Sequence, residues 1–292
     1  MKKIIVITGQ TSTGKTRLAQ MMKDKWNGEL INCDSRQIYK YLDIITGKDI
    51  VDVRLYDIVD PKQHFSSFNY VNVAIPVIRR ILSSNKTPIL VGGTYLYIKH
   101  LLYGADTERI PPNWAKRSEL GSKTTKELQD DLKKISPEAY YALNNSDRNN
   151  PRRLMRKIEI ALYYRKKKKS YNPKTLSDRL HIAHLSIEII GLVFKSKETL
   201  RESIRKRIEE RIKKGAISEV RKLLSLGYTK QDPGLQTIGY QQLIPVIEKR
   251  TSLEKAVDEW VTKEVQYAKR QYTFMKKDKH IQWKYLKELP PK

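Results

Sequence analysis

Gly9, Gln10, Thr11, Ser12, Thr13, Gly14, Lys15 and Thr16 follow an apolar run at residues 4–7 and precede a helix-like segment at residues 17–22. Strand, glycine-bounded loop and helix in that order make a phosphate-binding loop. Its backbone N–H groups point at phosphate oxygens, Lys15 reaches the outer phosphates, and the Thr16 hydroxyl reaches a magnesium ion. The loop alone leaves open whether the phosphates belong to a nucleotide or to another pyrophosphate.

Asp34 ends a second apolar run and suits two jobs. It could hold magnesium, as an acidic residue does in phosphate-loop kinases and hydrolases, or act as a general base toward a nucleophile brought to the phosphates. The neighbours Ser35, Arg36 and Gln37 favour the base, because Ser35 and Gln37 add short donors and an amide edge of the kind that reads a planar base. Gly92, Gly93 and Thr94 end a third run with a turn and a hydroxyl. Tyr272 and Phe274 interleave with Lys269, Arg270, Lys276 and Lys277, a pattern suited to stacking on unpaired bases beside a phosphate backbone. Core aromatics at a helix end fit that spacing equally well. The five histidines show no ligand spacing.

These residues need a frame. Apolar runs at residues 4–7, 30–33, 88–91 and 187–194, with helical patterns between the first three, predict an α/β fold: a parallel sheet of the P-loop NTPase-like kind with flanking helices. In such sheets the ligand crevice lies at the carboxyl ends of the strands, where the three polar clusters fall. The expected division is a first core part at 1–106, a helical insertion at 107–172, and a return to the core with basic helices at 173–292. Within the insertion, residues 151–162 set Leu154, Ile158 and Leu162 on one stripe and Arg152 and Arg156 on another, with Pro151 in the first turn. Residues 165–169 read as an exposed basic loop. Apolar residues every four positions from Leu200 to Leu224 predict one long helix, and Thr251 with Glu254 predicts a capping box opening a last helix.

The chain of 292 residues carries 58 lysines and arginines against 32 acidic residues, a net charge of +26. A merely soluble domain needs about 2–8, so the field points to a polyanion, with nucleic acid the leading partner class. No amphipathic stretch with an aromatic-rich face and no apolar run near the roughly 18–20 residues of a membrane span is present, so no membrane partner is expected. Cys33 is the single cysteine, which excludes an intrachain disulfide and a cysteine-based zinc cluster and suggests a reducing cytoplasm.

Seven motifs in order resemble the tRNA dimethylallyltransferases: Gly-x-Thr-x-x-Gly-Lys-Thr from Gly9, Asp-Ser-x-Gln-x-Tyr from Asp34 with Asp-Ile-x-Thr-x-Lys from Asp43, Val-Gly-Gly-Thr-x-Leu-Tyr from Val91, Asn-Pro-Arg-Arg-Leu-x-Arg from Asn150, Arg-Ile-x-x-Arg from Arg207, Ile-Gly-Tyr from Ile238, and Tyr-Ala-Lys-Arg-Gln-x-Thr from Tyr267. The resemblance implies transfer of a five-carbon prenyl group from dimethylallyl diphosphate to the exocyclic amine of the adenine just 3′ of the anticodon. It implies Asp34, Thr94 and Arg207 as catalytic residues, residues 9–16 as the diphosphate cradle, and Mg2+ on Thr16. The anticodon arm of tRNA would meet Asp34, Ser35, Arg36, Gln37, Thr94, Arg152, Arg153, Leu154, Met155, Arg156, Lys269, Arg270, Gln271 and Lys276. A cytoplasmic monomer is expected.

The chain departs from the family at Gln10, where proline is usual, at Arg54-Leu55-Tyr56, where a histidine-containing turn is common, at Phe274, which replaces a tryptophan, and in a short insertion before Asn150. It ends at Lys292 without the zinc-finger extension of eukaryotic relatives, so the resemblance implies the bacterial type. The competing readings are an adenylate isopentenyltransferase acting on free nucleotide, an ATP-dependent small-molecule kinase, and an RNA-binding module with a vestigial phosphate loop.

Overall fold

The computed structural model describes residues 2–49, 52–105, 107–108, 110, 112–166 and 173–288. The chain divides into two compact units, residues 1–102 with 176–292, and residues 103–175. The larger begins β1 (Lys2–Gly9), α1 (Lys15–Lys25), β2 (Gly28–Asn32), β3 (Val53–Arg54), α2 (Ser67–Ser83), β4 (Thr87–Val91) and α3 (Tyr95–Tyr103). The smaller is helical: α4 (Trp114–Gly121), α5 (Thr125–Ile135), α6 (Pro137–Tyr141), α7 (Asn145–Arg148) and α8 (Pro151–Lys166). The larger unit resumes with α9 (Leu176–Leu180), β5 (Leu185–Phe194), α10 (Lys197–Lys213), α11 (Ala216–Ser225), α12 (Tyr240–Ile247), α13 (Leu253–Met275) and β6 (Ile281–Leu286).

Six strands pair in the order β3-β2-β4-β1-β5-β6, every pairing parallel. A parallel sheet is covered on both faces, which is why its central strands read as unbroken apolar runs. Ile4, Ile5, Val6 and Ile7 of β1 are all fully buried. One face packs Ile5, Ile7, Leu30 and Ile89 against Ala19 of α1. A second cluster joins Ile38, Leu42 and Ile45 to Ile204 and Ile208 of α10, Val220 of α11, Leu243 of α12 and Trp260 of α13. The smaller unit closes its own core with Leu120, Leu128, Leu132, Leu143, Leu154 and Ile158.

The four expected strands are present, and two more join them. β3 is two residues long, too short to leave a pattern, and β6 is an edge strand with half of its residues exposed. The expected long helix is two helices, because Gly215 takes φ +101 and turns the chain between α10 and α11. Period alone could not reveal the break. Leu200, Ile204 and Ile208 before it and Ala216, Val220 and Leu223 after it still face one core. The cap of α13 is Ser252, whose hydroxyl accepts the Lys255 N–H, so no Thr251–Glu254 box forms. Arg165 belongs to α8 and not to a loop, and Lys167, Lys168 and Lys169 lie outside the described residues.

Candidate active site

β1 delivers the loop and α1 receives it. Gly14 is the helix cap in a left-handed conformation, with no side-chain cap. The first-turn amides of α1 therefore keep their hydrogens for an anion, and the helix dipole favours negative charge there. Other elements lock the loop. Ser12 and Ser203 of α10 bond reciprocally, each hydroxyl within 3.0 Å of the other's carbonyl, and Thr13 Oγ1 donates to the Gln10 carbonyl at 2.8 Å. Thr11, Ser12, Thr13, Gly14, Lys15 and Thr16 line a cavity of about 790 Å³. Gly9 and Gln10 lie behind it. The Gln10 side chain is buried and accepts the Phe194 N–H of β5 at 3.0 Å, so this residue braces the loop instead of touching phosphate.

Cations crowd the same cavity. Lys15 donates to the Gln10 carbonyl at 2.5 Å, and burial, followed by the nearby Arg207, pushes its pKa down to about 8 while Asp34 and Glu264 pull it back. Arg207 pairs with Glu264 at 3.0 Å, yet its buried Nε meets no acceptor among the described residues. Arg211, one turn further along α10, is buried, and burial and Arg207 push it down to about 10, so it remains charged at pH 7. Arg211 and Glu264 received no role from the sequence. The i, i+4 spacing of Arg207 and Arg211 was the available signal for the first, whereas Glu264 sits in a charged helix that marks no single acid.

Asp34 leaves the end of β2 into this cavity. Asn32 grips its backbone, accepting the Asp34 N–H at 2.8 Å and donating to its carbonyl at 3.1 Å, and Asp34 Oδ1 accepts the Arg36 N–H at 2.9 Å. The carboxylate is thus aimed by its own turn. Thr94 Oγ1 accepts the Ser35 N–H at 2.9 Å and donates to the Ser35 hydroxyl at 3.1 Å, tying the 92–94 turn to the 34–37 turn. Neither Thr94 nor Ser35 lines the cavity, and Thr94 sits against Tyr267, which does. Burial, then Asp34, pushes the Tyr267 and Tyr56 hydroxyls above their ordinary range. Arg36 lines the cavity and donates to the Pro233 carbonyl at 3.3 Å. Gln37 also lines it, but its amide nitrogen donates to the Thr46 and Gly47 carbonyls at 3.1 and 2.8 Å, so those hydrogens hold a neighbouring turn and do not read a base.

α13 presents two faces. Lys269, Arg270 and Lys276 are exposed, and Arg270 reaches the cavity. Gln271 is buried: its Oε1 accepts the Thr11 N–H at 3.0 Å and its Nε2 donates to the Gly93 carbonyl at 2.9 Å. It bolts the phosphate loop to the 92–94 turn, a correction to its placement on the RNA face. Phe274 is 43% exposed and stands edge-on to Tyr95, centroids 5.1 Å apart, with Lys99 5.9 Å from its ring; Tyr272 stands edge-on to Trp283.

In the helical unit Arg152 and Arg153 of α8 are exposed, Arg153 paired with Asp147. Leu154 is fully buried in that unit's core, so it does not offer its side chain to RNA as expected, and the half-buried Met155 packs against that core. The Leu154–Ile158 stripe explains why. Arg156 is half-buried, bonding Glu159 at 3.1 Å and the Ile110 carbonyl at 2.7 Å, and Glu159 also takes Arg117 at 2.8 Å. No cluster of three or more His, Cys, Asp or Glu able to hold a metal occurs among the described residues.

The family model described as IPP transferase matches residues 37–278. A tRNA dimethylallyltransferase of Endomicrobium trichonymphae is 36% identical, covering 94% of this chain and 91% of the relative, and one of Acetivibrio thermocellus is 33% identical over 97% and 91%. The crystal structure of a tRNA isopentenylpyrophosphate transferase from Bacillus halodurans is 30% identical, covers 98% of this chain and 90% of its own, and has a TM-score of 0.68. A eukaryotic dimethylallyltransferase described as acting on tRNA, 23% identical with a TM-score of 0.79, shares the fold over 99% of this chain and 75% of its own. With a parallel sheet delivering a phosphate loop, an acid and clustered cations to one cavity, and with that model matching most of its length, the chain belongs to the IPP transferase family.

Proposed function

We propose that the protein is a tRNA dimethylallyltransferase. It moves the dimethylallyl group of dimethylallyl diphosphate to the N6 amine of the adenine 3′-adjacent to the anticodon and releases diphosphate. The observation that carries this reading is the shared cavity: Asp34 opens on the same space as Lys15, Thr16, Arg207 and Arg211. A leaving diphosphate needs the cations, and an amine nucleophile needs the base.

The bond from the allylic carbon to the diphosphate oxygen breaks as the N6 nitrogen forms its bond to that carbon, and the electron pair leaves with the diphosphate. Lys15, Arg207 and the α1 amides stabilise the charge that grows on the leaving oxygens. Asp34 takes the N6 proton, because the amine nitrogen attacks well only as that proton departs. Thr94 holds Ser35 and so the turn that aims Asp34, which makes it a positioning residue in this reading.

Thr16 gives the cavity a hydroxyl, a hard oxygen donor that fits Mg2+, which takes much of its coordination from phosphates and water. When bound, the ion neutralises diphosphate charge. The adenine enters flipped out of the anticodon loop, as enzymes acting on bases require. The helical unit within residues 107–172, through Arg152 and Arg153, and α13 with the residue that caps it, through Lys269, Arg270 and Lys276, bind the anticodon arm. One chain supplies loop, base and cations, which supports a monomer. A tRNA substrate and the buried thiol of Cys33 suit the cytoplasm, and no described helix is long and apolar enough to cross a membrane.

Incubation with labelled dimethylallyl diphosphate and either bulk tRNA or AMP tests the assignment. Label in tRNA alone is expected. Equal label in AMP would hand the site to a free-nucleotide prenyltransferase.

A further inference from the structure

Glu219, on α11 and outside the cavity lining, gathers four donors on one carboxylate. They are the backbone N–H groups of Asp43 at 2.8 Å, Ile44 at 2.6 Å and Ile45 at 3.2 Å, and the Tyr240 hydroxyl at 2.6 Å. The three amides open a single helical turn, closed where the N–H groups of Gly47 and Lys48 reach the Asp43 carbonyl at 2.9 and 3.0 Å. Opening amides of a helical turn have no partner within it, so a carboxylate there both satisfies them and complements their dipole. The far end is held as well, by the Gln37 amide on the Thr46 and Gly47 carbonyls.

This turn is a wall of the active site. Ile45, Thr46 and Gly47 line the cavity. Gly47 has φ +73, and a Cβ there would lie 2.4 Å from Arg211 Nη2, so the guanidinium packs directly on the Gly47 backbone. Arg211 is buried and has no ion-pair partner among the described residues. Packing on this turn locates its charge, with Glu264 and Asp49 attracting it from further off.

We propose that Glu219 is a positioning residue for the transferase reaction: it anchors the 43–47 turn so that Gly47 holds Arg211 in place toward the diphosphate. The inference rests on the diphosphate reading of the cavity. Loss of the carboxylate strands three amides and the Tyr240 hydroxyl, the turn shifts, and Arg211 loses its seat. Small displacements of a charge that must meet a transferring group cost up to about 10²-fold.

The test is calorimetric titration of inorganic diphosphate into the full-length parent, Glu219→Gln, Arg211→Ala and the double variant, with thermal melts of each. Glu219→Gln is expected to weaken diphosphate binding by about 10-fold, and by less than about 3-fold when Arg211 is already alanine, because two changes acting through one group do not add. In turnover, KM for dimethylallyl diphosphate should rise while KM for tRNA stays level. Equal losses in both backgrounds, or parental affinity in Glu219→Gln, overturn the proposal. If Glu219→Gln does not fold, Glu219→Asp, which keeps the charge but withdraws it by one methylene, carries the same comparison. A parent that binds no diphosphate overturns the cavity reading itself, a result distinct from either.

Discussion

Arginine does opposite work in the two units of this protein. In the cavity, burial and then Arg207 lower the proton affinity of Lys15 and of Arg211, against the pull of Asp34 and Glu264 on the first and of Glu264 and Asp49 on the second. In the helical unit, Arg117 and Arg156 close on the nearly buried Glu159. Arg148 there keeps an Nε without an acceptor among the described residues, but its guanidinium packs 5.0 Å from the Tyr140 ring and donates to the Leu143 carbonyl. Buried charges left under-neutralised are costly and mark a place where an anion is meant to arrive; charges closed into ion pairs hold a fold together. A net charge of +26 counts both kinds alike.

The largest expected effect removes the base of the cavity and leaves its cations in place. Asp34→Asn should lower turnover by about 10²–10⁴ while inorganic diphosphate binds at least as tightly, since the change removes a base and a negative charge and keeps the shape. Near-normal single-turnover rates would end the general-base role.

Next is the pH response of Lys15. With a pKa near 8 in the ligand-free protein, Lys15 loses its charge as pH rises through 8, so diphosphate affinity should begin to fall there and not near 10.5. The linked stability runs the other way. Between about 8 and 10.5 the unfolded chain holds the proton that the folded chain has released, so this site adds stability to the ligand-free protein as pH rises. Titrations of diphosphate binding and denaturant melts from pH 7 to 10.5 check both, and Lys15→Ala should flatten both curves.

Arg156 sharpens the comparison between units. Arg156→Ala should cost about 1–3 kcal/mol of stability, because Glu159 and the Ile110 carbonyl lose a donor in a half-buried site. The slope of tRNA affinity against salt should barely move, and a drop in that slope with unchanged urea stability would make Arg156 a phosphate contact after all. Phe274→Ala should weaken tRNA binding by about 1–3 kcal/mol with no change in slope, as stacking does. Smallest are Arg152→Ala and Arg270→Ala, exposed cations whose loss should reduce the log–log salt slope by about one each and leave diphosphate affinity untouched for Arg152.

Local order made part of this molecule legible from residues alone. Strand, loop and helix around Gly9–Thr16 need only neighbours in sequence, and the unbroken apolar runs of β1, β2, β4 and β5 declare a buried parallel sheet because both faces must be covered. Asp34 was legible for the same reason, standing where such a strand meets its rim. Contacts across the chain were not. Gln10 and Gln271 look like cradle and RNA residues by position, yet the first accepts from Phe194, 184 residues away, and the second joins Thr11 to Gly93. Gly215 breaks a helix whose period survives the break, since both halves face one core. Residue type and spacing determined which chemistry the chain carries; which arginines stay available for it, and which carboxylate seats them, was decided only when distant segments met and each buried charge found a partner or was left without one.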